Sequence, residues 1–178
     1  YKKNYPKHVY PGRYLIKNRM NNNELINTLR SGRQEPLNLT FNNLRTLEQL
    51  AARVSEQLEF EADTLLALLK SDSVQKKYGF NKYTINCMFI SNTYEVYWNI
   101  SPVAFLDRMY KEYNAFWNNR RQNKAQAMIM TREEIMTLAS IVNEETRKND
   151  EKERVAGVYI NRLKKGIRLQ ADPTVIYG

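Results

Sequence analysis

Apolar residues at helical spacing constrain the fold of this chain more than any other feature of its sequence. Between Thr46 and Lys70, and again from Pro102 to about Asn118, apolar residues recur three and four positions apart. Each segment therefore carries an apolar stripe along one helix face. The first stripe consists of Leu47, Leu50, Ala51, Val54 and Leu58. We expect a chain dominated by amphipathic helices that pack their stripes into a core.

Two short segments near the start alternate in the manner of β-strands. Residues 12–17 and residues 37–41 both alternate between apolar and polar side chains. Between them, Asn21–Asn23 offer N-caps for a short helix that Gly32 would end. A strand–helix–strand unit of about 30 residues is too small for a stable core of its own, so it must belong to a larger unit. The expected fold class is α+β.

Positive charge is in excess. The chain has 178 residues, with 28 Lys and Arg against 19 Asp and Glu, so its net charge is +9. One basic cluster, with Arg120, Arg121 and Lys124, falls in the polar stretch 118–124, which we expect to be a connection rather than a helix. Basic and aromatic residues also suit a nucleic-acid surface, but no zinc finger, RNA-binding motif or clear helix-turn-helix pattern is visible. A solvated basic face is the favoured explanation, and no nucleic-acid partner is predicted.

Few residues can bind metals or act as nucleophiles. Cys87 is the single cysteine and His8 the single histidine. These counts exclude a disulfide framework and a multi-cysteine metal site, and they disfavour a catalytic triad or a zinc site rich in histidine. No metal and no cofactor are predicted. Carboxylates, Lys, Tyr and hydroxyl groups remain as candidate catalytic groups.

The segment from Thr131 carries the strongest candidate for chemistry. Thr131 and Glu134 form a capping box. The inward positions of the predicted helix are Ile135, Leu138, Ala139 and Val142. Glu145 follows Leu138 by seven positions and so lies at the edge of the buried face, whereas Glu144 points to the opposite side. We expect Glu144 to be solvated and Glu145 to be half-buried, where burial and the helix C-terminus favour the protonated form that a general acid needs.

A plainer interpretation of Glu145 is also open. The residue could be a boundary carboxylate that pairs with Arg147, Lys148 or Arg162, and spacing alone favours this interpretation.

A second predicted helix, opened by a cap signature at Asp150, carries Asn161 and Arg162 and ends at Gly166. A short polar stretch follows. Its hydrogen-bonding side chains are Gln170, Asp172, Thr174 and Tyr177. This density of polar groups suits hydrogen bonding to a sugar, but a turn would use the same residues.

Three segments in this half of the chain resemble the YceG-like endolytic murein transglycosylases (the MltG family). They are 138–146 (LASIVNEET), 154–163 (RVAGVYINRL) and 166–178 (GIRLQADPTVIYG). The order of elements upstream is similar to the LysM-like subdomain of that family. The resemblance implies a small LysM-like subdomain over residues 1–41, followed by a mixed, largely helical, lysozyme-like catalytic domain over 42–178. The family continues beyond Gly178, so part of that domain is expected to be missing.

The resemblance implies that Glu145 is the general acid and base that cleaves the MurNAc–GlcNAc bond and leaves 1,6-anhydroMurNAc ends. The residues expected to hold the substrate are Gln170, Asp172, Thr174 and Tyr177, with Asn161 and Arg162 as further candidates. If the enzyme were a hydrolase, Asp172 would be the candidate second carboxylate. One departure stands out: the family usually has Phe-Pro-Asp-Thr-Tyr where this chain has Ile90-Ser-Asn92-Thr-Tyr94.

The resemblance also implies partners and a location. Peptidoglycan glycan strands would be the substrate, and peptidoglycan synthases would be protein partners. The full protein would be held by an N-terminal membrane anchor absent from this chain, on the periplasmic (outer) face of the bacterial inner membrane. The alternative function is a non-catalytic peptidoglycan-binding module, which would tolerate Glu145→Gln.

Overall fold

The computed structural model describes residues 10–42 and 44–171, which form eight α-helices, one 3₁₀ helix and one two-stranded sheet. The helices are α1 (Asn22–Ser31), α2 (Leu47–Ser55), α3 (Ala62–Lys70), α4 (Asp72–Lys77), α5 (Pro102–Phe116), α6 (Asn119–Ala127), α7 (Arg132–Glu145) and α8 (Asn149–Lys164). The strands are β1 (Leu37–Phe41) and β2 (Asn92–Val96), and the 3₁₀ helix is Ile85–Met88. This content confirms the α+β class. The chain divides into two compact units, Tyr1–Tyr113 and Asn114–Gly178.

The first unit is built around the antiparallel pair β1 and β2. Their register places Leu37 opposite Val96 and Thr40 opposite Thr93, whose hydroxyl groups lie 2.8 Å apart. Alternate strand residues are buried, as expected of a sheet with one face on a core. The largest fully buried side chains of this unit are Phe105, Leu39, Leu65, Leu69, Ile85, Met88, Leu106, Met109 and Val54. The stripes predicted after Thr46 and Pro102 supply most of this core.

The predicted strand over residues 12–17 is wrong. This segment has no regular secondary structure, and Leu15 and Ile16 are each 52% exposed, so it buries no continuous apolar face. The backbone carbonyl of Arg13 accepts a hydrogen bond from Glu35 N at 2.8 Å, but a ladder does not continue from it. The helix between the predicted strands is confirmed as α1, with Asn21 as its N-cap and Gly32 as its left-handed C-cap.

The partner of β1 lies outside the segment 1–41, because β1 pairs with β2 at residues 92–96. No LysM-like fold is visible in the described residues. The LysM-like subdomain over 1–41 and the catalytic domain over 42–178 stay predictions.

The first helix that lies wholly in the second unit, α6, is one that the sequence analysis missed. Asn118 caps α6 by accepting a hydrogen bond from Arg121 N at 3.1 Å, so the prediction of a connection over 118–124 is wrong. The helix was missed because it carries no apolar stripe: Ala125 is its one buried residue. The guanidinium of Arg121 donates to Phe116 O at 2.8 Å and lies 4.1 Å from the centroid of the Phe116 ring.

Helices α7 and α8 pack on each other and form the core of the second unit. The buried residues of this core are Leu138, Val142, Tyr159 and Ala171. The capping box of Thr131 and Glu134 at the start of α7 is confirmed. Ala139, which was expected to face inward, is exposed. No helix within residues 10–42 and 44–171 is long and apolar enough to span a membrane.

Removal of the α7 cap should destabilise the second unit. The Thr131 hydroxyl accepts a hydrogen bond from Glu134 N at 3.1 Å, so we expect Thr131→Ala to lower the free energy of unfolding by about 1 kcal/mol. Urea unfolding followed by circular dichroism measures the change. Thr137→Ala is the matched control, since its hydroxyl bonds to Glu133 O inside the same helix and its loss should change stability by less than about 0.5 kcal/mol. Equal losses in the two variants would contradict a capping role.

The buried hydroxyl of Tyr94 should limit the stability of the fold at alkaline pH. Burial, aided by the nearby charge of Glu112, raises the pKa of Tyr94 from an ordinary value of 10.0 to about 12. Because the folded-state pKa is the higher one, the contribution of Tyr94 to stability is complete below pH 10 and is lost as the pH rises toward 12.

We therefore expect the free energy of unfolding to fall less steeply over this pH range in Tyr94→Phe than in the wild type. Urea titrations at several pH values measure the slope. Tyr83→Phe is the control, because Tyr83 is 80% exposed and should leave the wild-type slope unchanged. The same slope in Tyr94→Phe and the wild type would show that another group sets the alkaline limit.

Candidate active site

A short, tightly bonded turn joins the two helices that carry the candidate site. Helix α7 ends at Glu145 and α8 begins at Asn149. In the turn, the buried Thr146 hydroxyl donates to Glu151 Oε2 at 2.8 Å and accepts from Lys148 N at 3.1 Å. Lys148 Nζ lies 3.2 Å from Glu151 Oε1. The hydrogen bond from the Thr146 hydroxyl, and to a lesser extent the one from Lys148, lowers the pKa of Glu151 by stabilising its charged form.

Glu145 is the last residue of α7, and its carboxylate is bonded to the neighbouring helix. The Tyr159 hydroxyl of α8 donates to Glu145 Oε1 at 2.8 Å. The Tyr159 side chain is buried in the core of the second unit, whereas Glu145 itself is exposed. The expectation that Glu145 would be half-buried is therefore wrong. The buried face of α7 ends at Val142, so the carboxylate lies just beyond the core.

Two of the three basic residues considered as partners of Glu145 are engaged elsewhere. Lys148 pairs with Glu151, and Arg162 donates to Leu169 O and to Gln170 Oε1. Within residues 10–42 and 44–171, no basic side chain forms an ion pair with Glu145. The interpretation of Glu145 as a simple paired boundary carboxylate is therefore not supported among these residues.

Two of the predicted substrate residues contact each other. Arg162 Nη1 lies 2.5 Å from Leu169 O and 3.3 Å from Gln170 Oε1. Gln170 has a φ of 51°, in the left-handed region that L residues rarely adopt. Asn161 is exposed on α8, about 200° around the helix axis from Tyr159. Arg162, one turn beyond Tyr159, lies on nearly the same side of α8 as that residue.

The other predicted substrate residues, Asp172, Thr174 and Tyr177, lie outside the described residues. Before them, α8 ends at Lys164, and the predicted stop residue Gly166 follows with a φ of 66°, while Ile167 N donates back to Arg162 O at 2.9 Å. Ala171 then packs into the core of the second unit and is 1% exposed. This packing anchors the chain immediately before Asp172.

Tyr159 is the site residue that the sequence analysis missed. The periodicity of α8 marks it as an inward-facing residue, but not as a partner of Glu145. A buried tyrosine normally finds a hydrogen-bond partner for its hydroxyl group, and this rule was the available signal. It does not identify the partner, which lies 14 positions away on another helix.

No group of three or more His, Cys, Asp or Glu side chains that could hold a metal ion is present among the described residues. At the end of α7 the structure brings together the Glu145 carboxylate and the Tyr159 phenol. Such a pair can position a proton donor and acceptor beside a bound substrate.

The chain matches the YceG-like family along its entire length, residues 1–178. It is 25% identical over 183 residues to a protein of Bacillus subtilis (strain 168) named endolytic murein transglycosylase, covering 94% of this chain and 51% of that protein. A protein of the same name from Streptococcus pneumoniae serotype 2 (strain D39) is 24% identical over 197 residues, covering 94% of this chain and 35% of that protein. The chain thus spans about half of the first relative and about a third of the second.

A solved structure shares the fold. The crystal structure of a YceG-like protein from Listeria monocytogenes matches with a TM-score of 0.67 at 24% sequence identity, covering 99% of this chain and 63% of that one. With the family match over every residue and a solved member of similar fold, the chain belongs to the YceG-like family.

Proposed function

We propose that this chain is part of an endolytic peptidoglycan lytic transglycosylase in which Glu145 is the general acid and base. The observation that carries the proposal is the exposed Glu145 carboxylate at the end of α7, held at Oε1 by the buried Tyr159. The names of the Bacillus and Streptococcus relatives support the reaction class.

In the proposed reaction, protonated Glu145 gives its proton to the glycosidic oxygen between MurNAc and GlcNAc. The bond between that oxygen and C1 of MurNAc breaks, and an oxocarbenium-like state develops on the muramoyl sugar. The Glu145 carboxylate then takes the proton from the 6-hydroxyl of the same sugar while O6 bonds to C1. The products are a 1,6-anhydroMurNAc end and a free GlcNAc 4-hydroxyl, and Glu145 returns to its protonated form.

One carboxylate is sufficient for this sequence because the nucleophile belongs to the substrate. A glycoside hydrolase normally uses a second carboxylate, about 5–5.5 Å away in retaining enzymes and about 6.5–9.5 Å away in inverting ones. Asp172 is the candidate for that second role, and a hydrolytic product would bring it into the mechanism.

The proposed substrate contacts come from α8 and the segment after it. Gln170 and Arg162 are the described residues best suited to hydrogen bond a sugar, because their polar groups meet where the chain turns back after Gly166. Asn161 is a further candidate from the exposed side of α8. Asp172, Thr174 and Tyr177 complete the proposed set, on the basis of the family resemblance.

The proposed setting is the cell wall. We place the enzyme on the periplasmic (outer) face of the bacterial inner membrane, held by an N-terminal anchor outside this chain, with a LysM-like subdomain over 1–41. There it would cut nascent glycan strands beside the peptidoglycan synthases. The names of the relatives, which specify murein, support an extracytoplasmic substrate.

The neighbouring pair Glu144 and Glu145 provides the test of this function. We expect Glu145→Gln to lower kcat at least about 100-fold, because it removes the group that transfers the proton. Release of soluble muropeptides from purified peptidoglycan, followed by liquid chromatography, measures the rate.

Glu144→Gln is the matched control, since it makes the same change in the adjacent exposed residue and should leave turnover within about twofold of the wild type. Full turnover in Glu145→Gln would reject the proposed acid. Strand binding without turnover in the wild type, unaffected by Glu145→Gln, would instead support a non-catalytic binding module.

A second test concerns Gln170. If its side chain binds the glycan, both Gln170→Ala and Gln170→Gly should weaken binding of a glycan oligosaccharide by about 2- to 10-fold, the value of one hydrogen bond. Calorimetry in the Glu145→Gln background measures affinity without cleavage. Gln126→Ala, an exposed residue of α6, is the control. If Gln170→Gly kept the wild-type affinity and Gln170→Ala lost it, the weaker binding would come from the backbone and not from the lost side chain, because glycine adopts the left-handed φ without strain.

A further inference from the structure

Building on the proposed function, we infer that Tyr159 is a positioning residue for Glu145: its hydroxyl holds Oε1, so that Oε2 is the oxygen that gives up the proton and takes it back. The inference starts from one contact, the hydrogen bond of 2.8 Å from the Tyr159 hydroxyl to Glu145 Oε1.

The Tyr159 ring is fixed in place by the core. It is 7% exposed and packs with Leu138 and Val142, the two buried residues of α7. Since these residues belong to the same helix as Glu145, the phenol is held in a constant position relative to the backbone of α7. A hydroxyl on a buried ring has little freedom except rotation of its own hydrogen.

The Glu145 side chain needs the hydrogen bond from Tyr159 because its exposed position does little to restrict its conformation. It is exposed and lies at the last position of α7, where helices fray. No ion pair holds it within the described ranges 10–42 and 44–171. A free glutamate side chain samples many rotamers, and ordering it costs up to about 2 kcal/mol. The hydrogen bond to Tyr159 restricts the Glu145 side chain before the substrate binds, so less conformational entropy is lost on binding.

The turn between α7 and α8 also helps to fix the position of Tyr159 relative to the end of α7. The bonds of Thr146 to Glu151 and to Lys148 N hold the chain directly after Glu145. The start of α8 is therefore tied to the end of α7, and Tyr159, nearly three turns farther along α8, keeps its place opposite the carboxylate.

The hydrogen bond suits both protonation states of the acid. When Glu145 is protonated on Oε2, Oε1 is a carbonyl oxygen and accepts from Tyr159. After the proton leaves Oε2 for the glycosidic oxygen, Oε1 shares the negative charge, and hydrogen bonds to ionised acceptors are the stronger ones. The interaction therefore strengthens while Glu145 gives up its proton, which lowers the barrier to cleavage of the glycosidic bond rather than only tightening binding, and it weakens again when Glu145 is reprotonated. Tyr159 keeps its own proton throughout.

The test is Tyr159→Phe, which removes the hydroxyl and keeps the ring. We expect kcat to fall about 10- to 100-fold, the usual effect of a displaced catalytic group. The affinity for a glycan oligosaccharide, measured by calorimetry in the Glu145→Gln background, should stay within about twofold. Tyr159→Phe should also cause no further loss of turnover in that background, since the two residues act as one unit.

Tyr78→Phe is the matched control. Tyr78 is also a buried tyrosine, and its hydroxyl donates to a carboxylate, Asp107 Oδ1, at the same distance of 2.8 Å, but in the other compact unit. Its loss should affect thermal stability to a similar degree and leave kcat unchanged. Assays run at least about 10 °C below each variant's melting temperature exclude unfolding as the cause of lost activity.

The outcomes separate this inference from the function on which it rests. Unchanged kcat in Tyr159→Phe, with Glu145→Gln inactive, would overturn the positioning role and leave the proposed acid intact. A raised KM with normal kcat would also overturn it, because Tyr159 would then bind the substrate. An active Glu145→Gln variant would reject the proposed function itself.

Discussion

The packing of α7 against α8 is the interaction on which the candidate site depends. Leu138 and Val142 from one helix meet Tyr159 from the other, and Ala171 closes the same small core. This contact brings the end of α7 beside the middle of α8 and so joins Glu145 to the Tyr159 hydroxyl. If the contact were lost, the carboxylate would be an isolated side chain at a helix terminus.

Tyr159 and Glu145 have different roles in the site: Tyr159 is part of the core, and Glu145 is exposed to the solvent. Tyr159 contributes a ring to the core and a hydroxyl at its edge, which is the usual position of a buried tyrosine. Glu145 contributes a carboxylate that remains exposed and hence accessible to a polymer that cannot enter a deep pocket. An endolytic enzyme must act within long strands. An exposed acid that is hydrogen bonded to a buried tyrosine is compatible with such a substrate.

Some local features of the fold could be predicted from the sequence, whereas features that depend on distant contacts could not. The capping box at Thr131 and the termination of α8 by the left-handed Gly166, two residues after Lys164, were predicted, because a few neighbouring residues determine each of them. The alternation in β1 did not identify β2 as its partner, since alternation specifies a face and not a pairing. Helical geometry placed Glu145 at the edge of the buried face but could not show that the core ends at Val142, so its burial was overestimated.

In the proposed reaction, Glu145 transfers a proton between two oxygens of the same glycan without activating water. Mass spectrometry of the strand ends released from peptidoglycan by the wild type and by Glu145→Gln tests it most directly. We expect muramoyl ends lighter than hydrolytic ends by one molecule of water, present in the wild type and absent in the variant. Reducing muramoyl ends released by the wild type would contradict it, because they require an activated water.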